Sequence, residues 1–163
     1  IYRTMSGLYF SNCGFFYMCF KRNRKSMYID EKTIDSTWEN TKPFVPPIER
    51  GKVIKVYDGD TITIASALPY DSSLVYRFSV RLRGIDTPEI KGKTDNEKIV
   101  AKQSRDALFA LIGGKVVTLR NVGNEKYGRV LADVYIDDLH INKWMLDNGH
   151  AVSYLGGTKV SVW

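Results

Sequence analysis

The 163 residues describe a domain that is mainly β with helices (α+β), a five-stranded barrel carrying one helix after the third strand and a short one after the fifth. Three observations point there. Apolar and polar residues alternate with period two in several short runs. A single long stretch has helical periodicity and its own start and stop signals. The runs follow one another as three strands, helix, two strands, short helix.

The first two strands come from GKVIKVYDGDTITIAS, which alternates on both sides of Asp58-Gly59, a pair favoured in tight turns, and so predicts an antiparallel hairpin. Ile54 and Val56 are expected to share one face of the first arm, Ile62 and Ile64 one face of the second. YRFSVRLRG supplies the third strand, with Phe78, Val80 and Leu82 on one side and Arg77, Ser79, Arg81 and Arg83 on the other. The helix is expected from about Asp95 to Ile112. Thr94 and Glu97 form a capping box, Val100, Ala107, Leu108 and Leu111 an apolar stripe, and Gly113-Gly114 the stop. KVVTLRNV and GRVLADVYI make two more strands. After an Asp137-Asp138 turn, Asn142 is placed to cap the short helix NKWMLDN, ended by Gly149. Five strands with a helix between the third and fourth is the order of an OB-fold barrel. Such a barrel is often a binding module, so chemistry has to be argued from side chains.

Residues 1–49 read as an N-terminal apolar and basic tail with a Pro-containing linker, and residues 50–163 as the folded domain. The run Leu8 to Phe20 is too short for a membrane span, which takes ~20 apolar residues. It also precedes its basic cluster, Lys21 to Lys25, whereas a secretory signal has the opposite order. Residues 8–25 are therefore either a peripheral membrane attachment, with Cys13 or Cys19 acylated, or a segment without a role. Met5, Met18 and Met27 are alternative starts. Both cysteines lie in the tail, which excludes a disulfide framework or a cysteine metal site in the barrel and leaves the compartment open. Residues 51–163 carry 16 Lys and Arg against 13 Asp and Glu. That mild excess permits a polyanionic partner without requiring one.

Taken singly, the charged residues have ordinary explanations. Asp58 and Asp60 suit a turn, Asp86 can accept a backbone hydrogen bond, and Arg81, Arg83 and Arg129 can lie on solvated strand faces. In combination they suggest more. Asp60 has the parity of Ile62 and Ile64 and leans toward the apolar side, where an unpaired carboxylate is costly. Asp86 also ends a strand. If the strands pair, both carboxylates reach one point on the barrel rim, a hard oxygen site that suits Ca²⁺ better than Zn²⁺. Arginines beside it match two oxygens of a phosphate.

VIKVYDGDTITI, RLRGIDTPE, EKYGRVLADVY and GHAVSY, in that order over about 100 residues, together resemble the staphylococcal (thermo)nuclease family. DGDT or YGR alone would be weak. The resemblance implies an OB-fold, Ca²⁺-dependent phosphodiesterase acting on DNA and RNA, preferring unpaired strands and leaving 3′-phosphate ends. It makes Asp60, Asp86 and the Thr87 carbonyl the calcium ligands, and Arg81 and Arg129 the groups on the scissile phosphate. Glu89 is implied beside the attacking water as base or orienting group, and Asp58 in support. Lys126, Tyr127 and Tyr154 are implied on the nucleotide-binding side. Three departures stand out: Arg83 and Gly84 in place of apolar residues, the lengthened segment Ala65 to Tyr76, and an end at Trp163 without the founding member's C-terminal helix. The rival expectation is a non-catalytic OB module binding nucleic acid or protein. Retention of Asp60, Arg81, Asp86, Glu89 and Arg129 speaks against it.

Overall fold

A computed structural model describes residues 31–92, 94–154 and 156–157. The tail readings on residues 8–25 lie outside these. The chain divides into two units, Ile1–Thr41 and Lys42–Trp163. In the first, a single turn of helix, α1 (Glu31–Ile34), is followed by a turn in which Thr37 N donates to Asn40 Oδ1 at 2.7 Å. Among the described residues no helix is long and apolar enough to cross a membrane.

The second unit starts before the first strand. Ile48 is buried in the core, and Leu119 N donates to the Glu49 carbonyl at 2.7 Å, so the two residues that end the Pro-containing segment pack as part of the barrel. β1 (Arg50–Val56) and β2 (Thr61–Ala67) form the expected antiparallel hairpin. Its connection is the four residues Tyr57 to Asp60, closed by Tyr57 N donating to the Thr61 carbonyl at 2.9 Å. The two-residue turn of an ideal Asp-Gly hairpin is replaced because Gly59 serves a different need. A Cβ there would come within 2.8 Å of Ser104 Cβ and Thr87 Cγ2, so the loop packs flush against a helix and the Thr87 side chain.

One strand expectation is overturned. Ile54 and Val56 do not share a face: a bulge between Val53 and Lys55 makes Ile54 the extra residue. Val53 is buried before it, Val56 is half-buried after it, and Ile54 points to solvent. Strict alternation breaks wherever one residue is inserted.

β3 (Val75–Leu82) pairs with β2 along its length, Thr61 opposite Arg81 and Ile62 opposite Val80. The two-residue β4 (Ile85–Asp86) then leads to α2 (Asp95–Ile112), whose limits match the sequence reading. Thr94 Oγ1 accepts from Glu97 N at 3.1 Å as the N-cap. The buried stripe is Ala101, Ser104, Leu108 and Ile112 rather than Val100, Ala107, Leu108 and Leu111; only Leu108 is common to both. The helix is rotated because Ser104, invisible to an apolar pattern, faces inward and donates to the His150 carbonyl at 2.7 Å.

β5 (Val116–Asn124) and β6 (Val130–Ile136) complete the barrel. The long strands run β3-β2-β1-β5-β6, and parallel pairing of β3 with β6, Arg81 opposite Leu131, closes the ring. This is the OB-fold arrangement, mainly β with helices, around a core that includes Val53, Ile62, Ile64, Val80, Leu119 and Val134. After β7 (Leu139–His140) comes α3 (Ile141–Asp147). Asn142 does not cap it. His140 holds the cap position, and Asn142 is buried inside the helix, its Oδ1 accepting from Val134 N at 2.9 Å and its Nδ2 donating to the Arg83 carbonyl at 2.9 Å. Finally β8 (Val152–Ser153) pairs with β4, which brings Tyr154 N to the Gly84 carbonyl at 2.9 Å.

Candidate active site

β2, β3 and β4 bring three charged side chains to one end of the barrel. Asp60 sits just before β2, where its carbonyl accepts from Leu82 N at 2.8 Å and fixes it beside β3. Register puts Arg81 across from Thr61, and β4 folds back so that Arg81 Nη2 donates to the Ile85 carbonyl at 3.1 Å. Arg81 therefore lies on the outward parity of β3 and is nevertheless only 8% exposed, with Asp60 at 5% and Asp86 at 7%.

The guanidinium spans both carboxylates. Its Nη1 forms an ion pair with Asp60 Oδ2, and its Nη2 one with Asp86 Oδ1 at 3.1 Å. Thr61 Oγ1 donates to Asp60 Oδ1 at 2.8 Å, and Thr87 N to Asp60 Oδ2 at 3.3 Å. Burying charges this far costs several kcal/mol per ion unless each is paired and hydrogen-bonded, and these are. Asp58 adds a third carboxylate, its Oδ1 accepting from Asp60 N at 3.3 Å. Burial, and then the neighbouring Asp60 charge, push the Asp58 carboxyl up to about 7. The cluster thus holds more negative charge than Arg81 neutralises.

Arg129 enters from the turn between β5 and β6. Gly128, at φ +81°, allows that turn, and Gly128 N donates to the Glu125 carbonyl at 2.9 Å. Arg129 Nη1 reaches Thr61 Oγ1 at 3.3 Å and its Nε reaches Glu125 Oε2 at 3.3 Å. Glu125 also accepts from Tyr127 N at 3.0 Å. Against the burial that raises it, these two donors hold the Glu125 carboxyl below the usual range.

Asp60, Arg81, Asp86, Thr87, Glu89 and Arg129 all line one cavity of about 150 Å³. At ~30 Å³ per water that is space for a few waters, on the scale of one phosphate group rather than a nucleoside. Lys126 and Tyr154 line a second cavity of about 470 Å³, which shares Arg81 with the first. Tyr127 lines neither; it is 73% exposed, with Lys126 Nζ 4.8 Å from its ring centroid. The Tyr127 hydroxyl raises the affinity of that ammonium for its proton.

Among the described residues no three His, Cys, Asp or Glu are grouped to hold a metal ion. The first cavity is lined by the carboxylates of Asp58, Asp60, Asp86 and Glu89 and by Thr87, and the residues that the resemblance makes ligands, Asp60, Asp86 and Thr87, are among them. Hard oxygen donors with surplus negative charge suit Ca²⁺, with waters and substrate oxygens completing its shell. In this geometry Arg81 acts as counter-ion to both carboxylates.

Sequence reasoning missed four contributors. Glu125 holds Arg129 and could have been found from its i, i+4 spacing across Gly128. Thr61 links Arg129 to Asp60, and Tyr57 and Lys91 line the first cavity. No local signal marks Lys91.

The model of a family described as staphylococcal nuclease homologue matches residues 79–160. A probable staphylococcal-like nuclease of Oryza sativa subsp. japonica is 41% identical over 81 residues, 50% of this chain and 20% of that protein. An uncharacterized endonuclease of Escherichia coli is 35% identical over 105 residues, 64% of this chain and 60% of that protein. The chain therefore spans a fifth of the rice relative's length and three-fifths of the bacterial one's.

Proposed function

The chain belongs to the staphylococcal nuclease homologue family, and from that premise we propose that it is a calcium-dependent phosphodiesterase. It acts as an endonuclease on DNA and RNA, prefers unpaired strands, shows little sequence selectivity and leaves 3′-phosphate ends. The observation that carries this reading is the convergence of Asp60, Arg81, Asp86, Glu89 and Arg129 on one phosphate-sized cavity.

Each side chain then has a task. Calcium at Asp60, Asp86 and the Thr87 carbonyl would supply Lewis-acid polarisation of a phosphate oxygen. Arg81 must loosen its hold on the two carboxylates to present its fork to the phosphate, a change that substrate charge favours. Arg129 needs no such exchange, since Glu125 and Thr61 already orient it. Together the guanidiniums stabilise the charge that builds as phosphorus becomes five-coordinate; losing one such donor typically costs ~10²–10³ in kcat. Glu89, exposed at the cavity's edge, receives the proton of water attacking in line. Lys126, Tyr127 and Tyr154 grip the nucleotide through phosphate charge and stacking, which every base permits.

Circular single-stranded DNA tests the proposal. Linearisation is expected in Ca²⁺ and none in chelator. An intact circle in Ca²⁺ overturns the reading.

A further inference from the structure

The catalytic cavity has an aromatic wall that the roles above leave unused. Tyr57, first residue of the β1–β2 connection, lines that cavity and is 51% exposed. Its backbone is fixed, because Tyr57 N donates to the Thr61 carbonyl at 2.9 Å. Lys55 Nζ lies 5.6 Å from its ring centroid, and Lys91 lines the same cavity. A half-exposed tyrosine with a cation over its ring and a second lysine nearby repeats the Tyr127–Lys126 arrangement on another loop.

Arg81 lines both cavities, whereas Tyr57 and Lys91 line only the first, and Lys126 and Tyr154 only the second. A strand whose phosphate meets Arg81 and whose one neighbouring nucleoside fills the second cavity must send its other nucleoside out past the first. That exit is walled by Tyr57.

We propose that Tyr57 is a stacking platform for the nucleobase on the far side of the scissile phosphate from Lys126 and Tyr154, with Lys55 and Lys91 engaging the phosphate beyond it. The inference rests on the phosphodiesterase reading. The ligand is a single-stranded nucleic acid, bound through a base face and backbone charge, because a paired base has its faces covered by its neighbours.

The test uses the full chain and three DNA oligonucleotides with one cleavable bond: intact, abasic 5′ of the bond, and abasic 3′ of it. Tyr57→Ala should raise KM on the intact strand about tenfold, as expected for losing one stacked base, with kcat changed far less. Tyr57→Phe should restore KM. On one of the two abasic strands, parent and Tyr57→Ala should have equal KM. Binding of strands carrying 2-aminopurine at each of those positions, in chelator, reads the contact without cleavage: quenching at one position should be lost in Tyr57→Ala. Loss of that quenching in a protein that cuts nothing would leave the subsite standing and the phosphodiesterase reading overturned. Efficient cutting with no Tyr57-dependent quenching, or with equal losses on all three strands, overturns the subsite.

Discussion

Glu125 Oε2 accepts from Arg129 Nε at 3.3 Å across the Gly128 turn, so one carboxylate sets the aim of a cavity-lining guanidinium while leaving its far nitrogen on Thr61. Glu125→Gln removes the charge that fixes this orientation. Small misplacements of a reacting group are costly, and about a tenfold fall in kcat is expected with KM little changed. In an Arg129→Ala background the same substitution should have almost no effect. Equal losses in both backgrounds would show that Glu125 acts by another route.

Arg129→Ala itself should lower kcat by about 10²–10³, the scale of one preorganised donor. Its side chain is partly exposed and outside the core, so far-ultraviolet circular dichroism should not change. Parent-like turnover would remove Arg129 from the phosphate.

Calcium should raise the melting temperature. A ligand that binds only the folded state adds about 2.7 kcal/mol at a hundredfold excess over Kd. Asp86→Asn and Asp60→Asn should each abolish most of that gain in a thermal-shift titration, while Glu89→Gln should retain it. If Glu89→Gln loses the gain instead, Glu89 belongs among the ligands.

Asp58 gives the native state a pH dependence in chelator. Its carboxyl titrates near 3.8 when unperturbed and is pushed up to about 7 here, so between those values the folded state holds a proton that the unfolded chain has lost. Stability from this group is complete below about pH 4 and is lost as pH rises through about 7. Asp58→Asn should flatten the denaturant midpoint across that window and be the more stable protein at pH 8. An unchanged slope would mean that Asp58 is charged throughout.

Asn142→Ala tests the buried amide. It would strand Val134 N–H and the Arg83 carbonyl, at ~1–3 kcal/mol for each unsatisfied group, while the Ala132 carbonyl keeps Arg83 N as donor at 2.9 Å. A clear drop in urea midpoint is expected. A drop of under about 0.5 kcal/mol would show that water replaces the amide.

What the sequence settled alone is what local rules govern. The helix begins at Thr94 and stops at Gly113 because a side-chain oxygen caps a backbone N–H three residues on, an interaction that needs no partner elsewhere. β1, β2, β3, β5 and β6 follow from alternation, and the candidate site residues were legible because DGDT, IDTPE and YGR stand together in one chain. Tertiary structure decided the rest. It took strand register to make Arg81 the counter-ion of Asp60 and Asp86, a bulge to turn Ile54 outward, and a buried serine to rotate α2. It drew Asn142 into the core and set Tyr57 in the wall of the cavity that Asp60, Arg81 and Asp86 line. Hydrogen bonds and charges act over a few ångströms of space, and only closure of the barrel determines which distant residues come within that range.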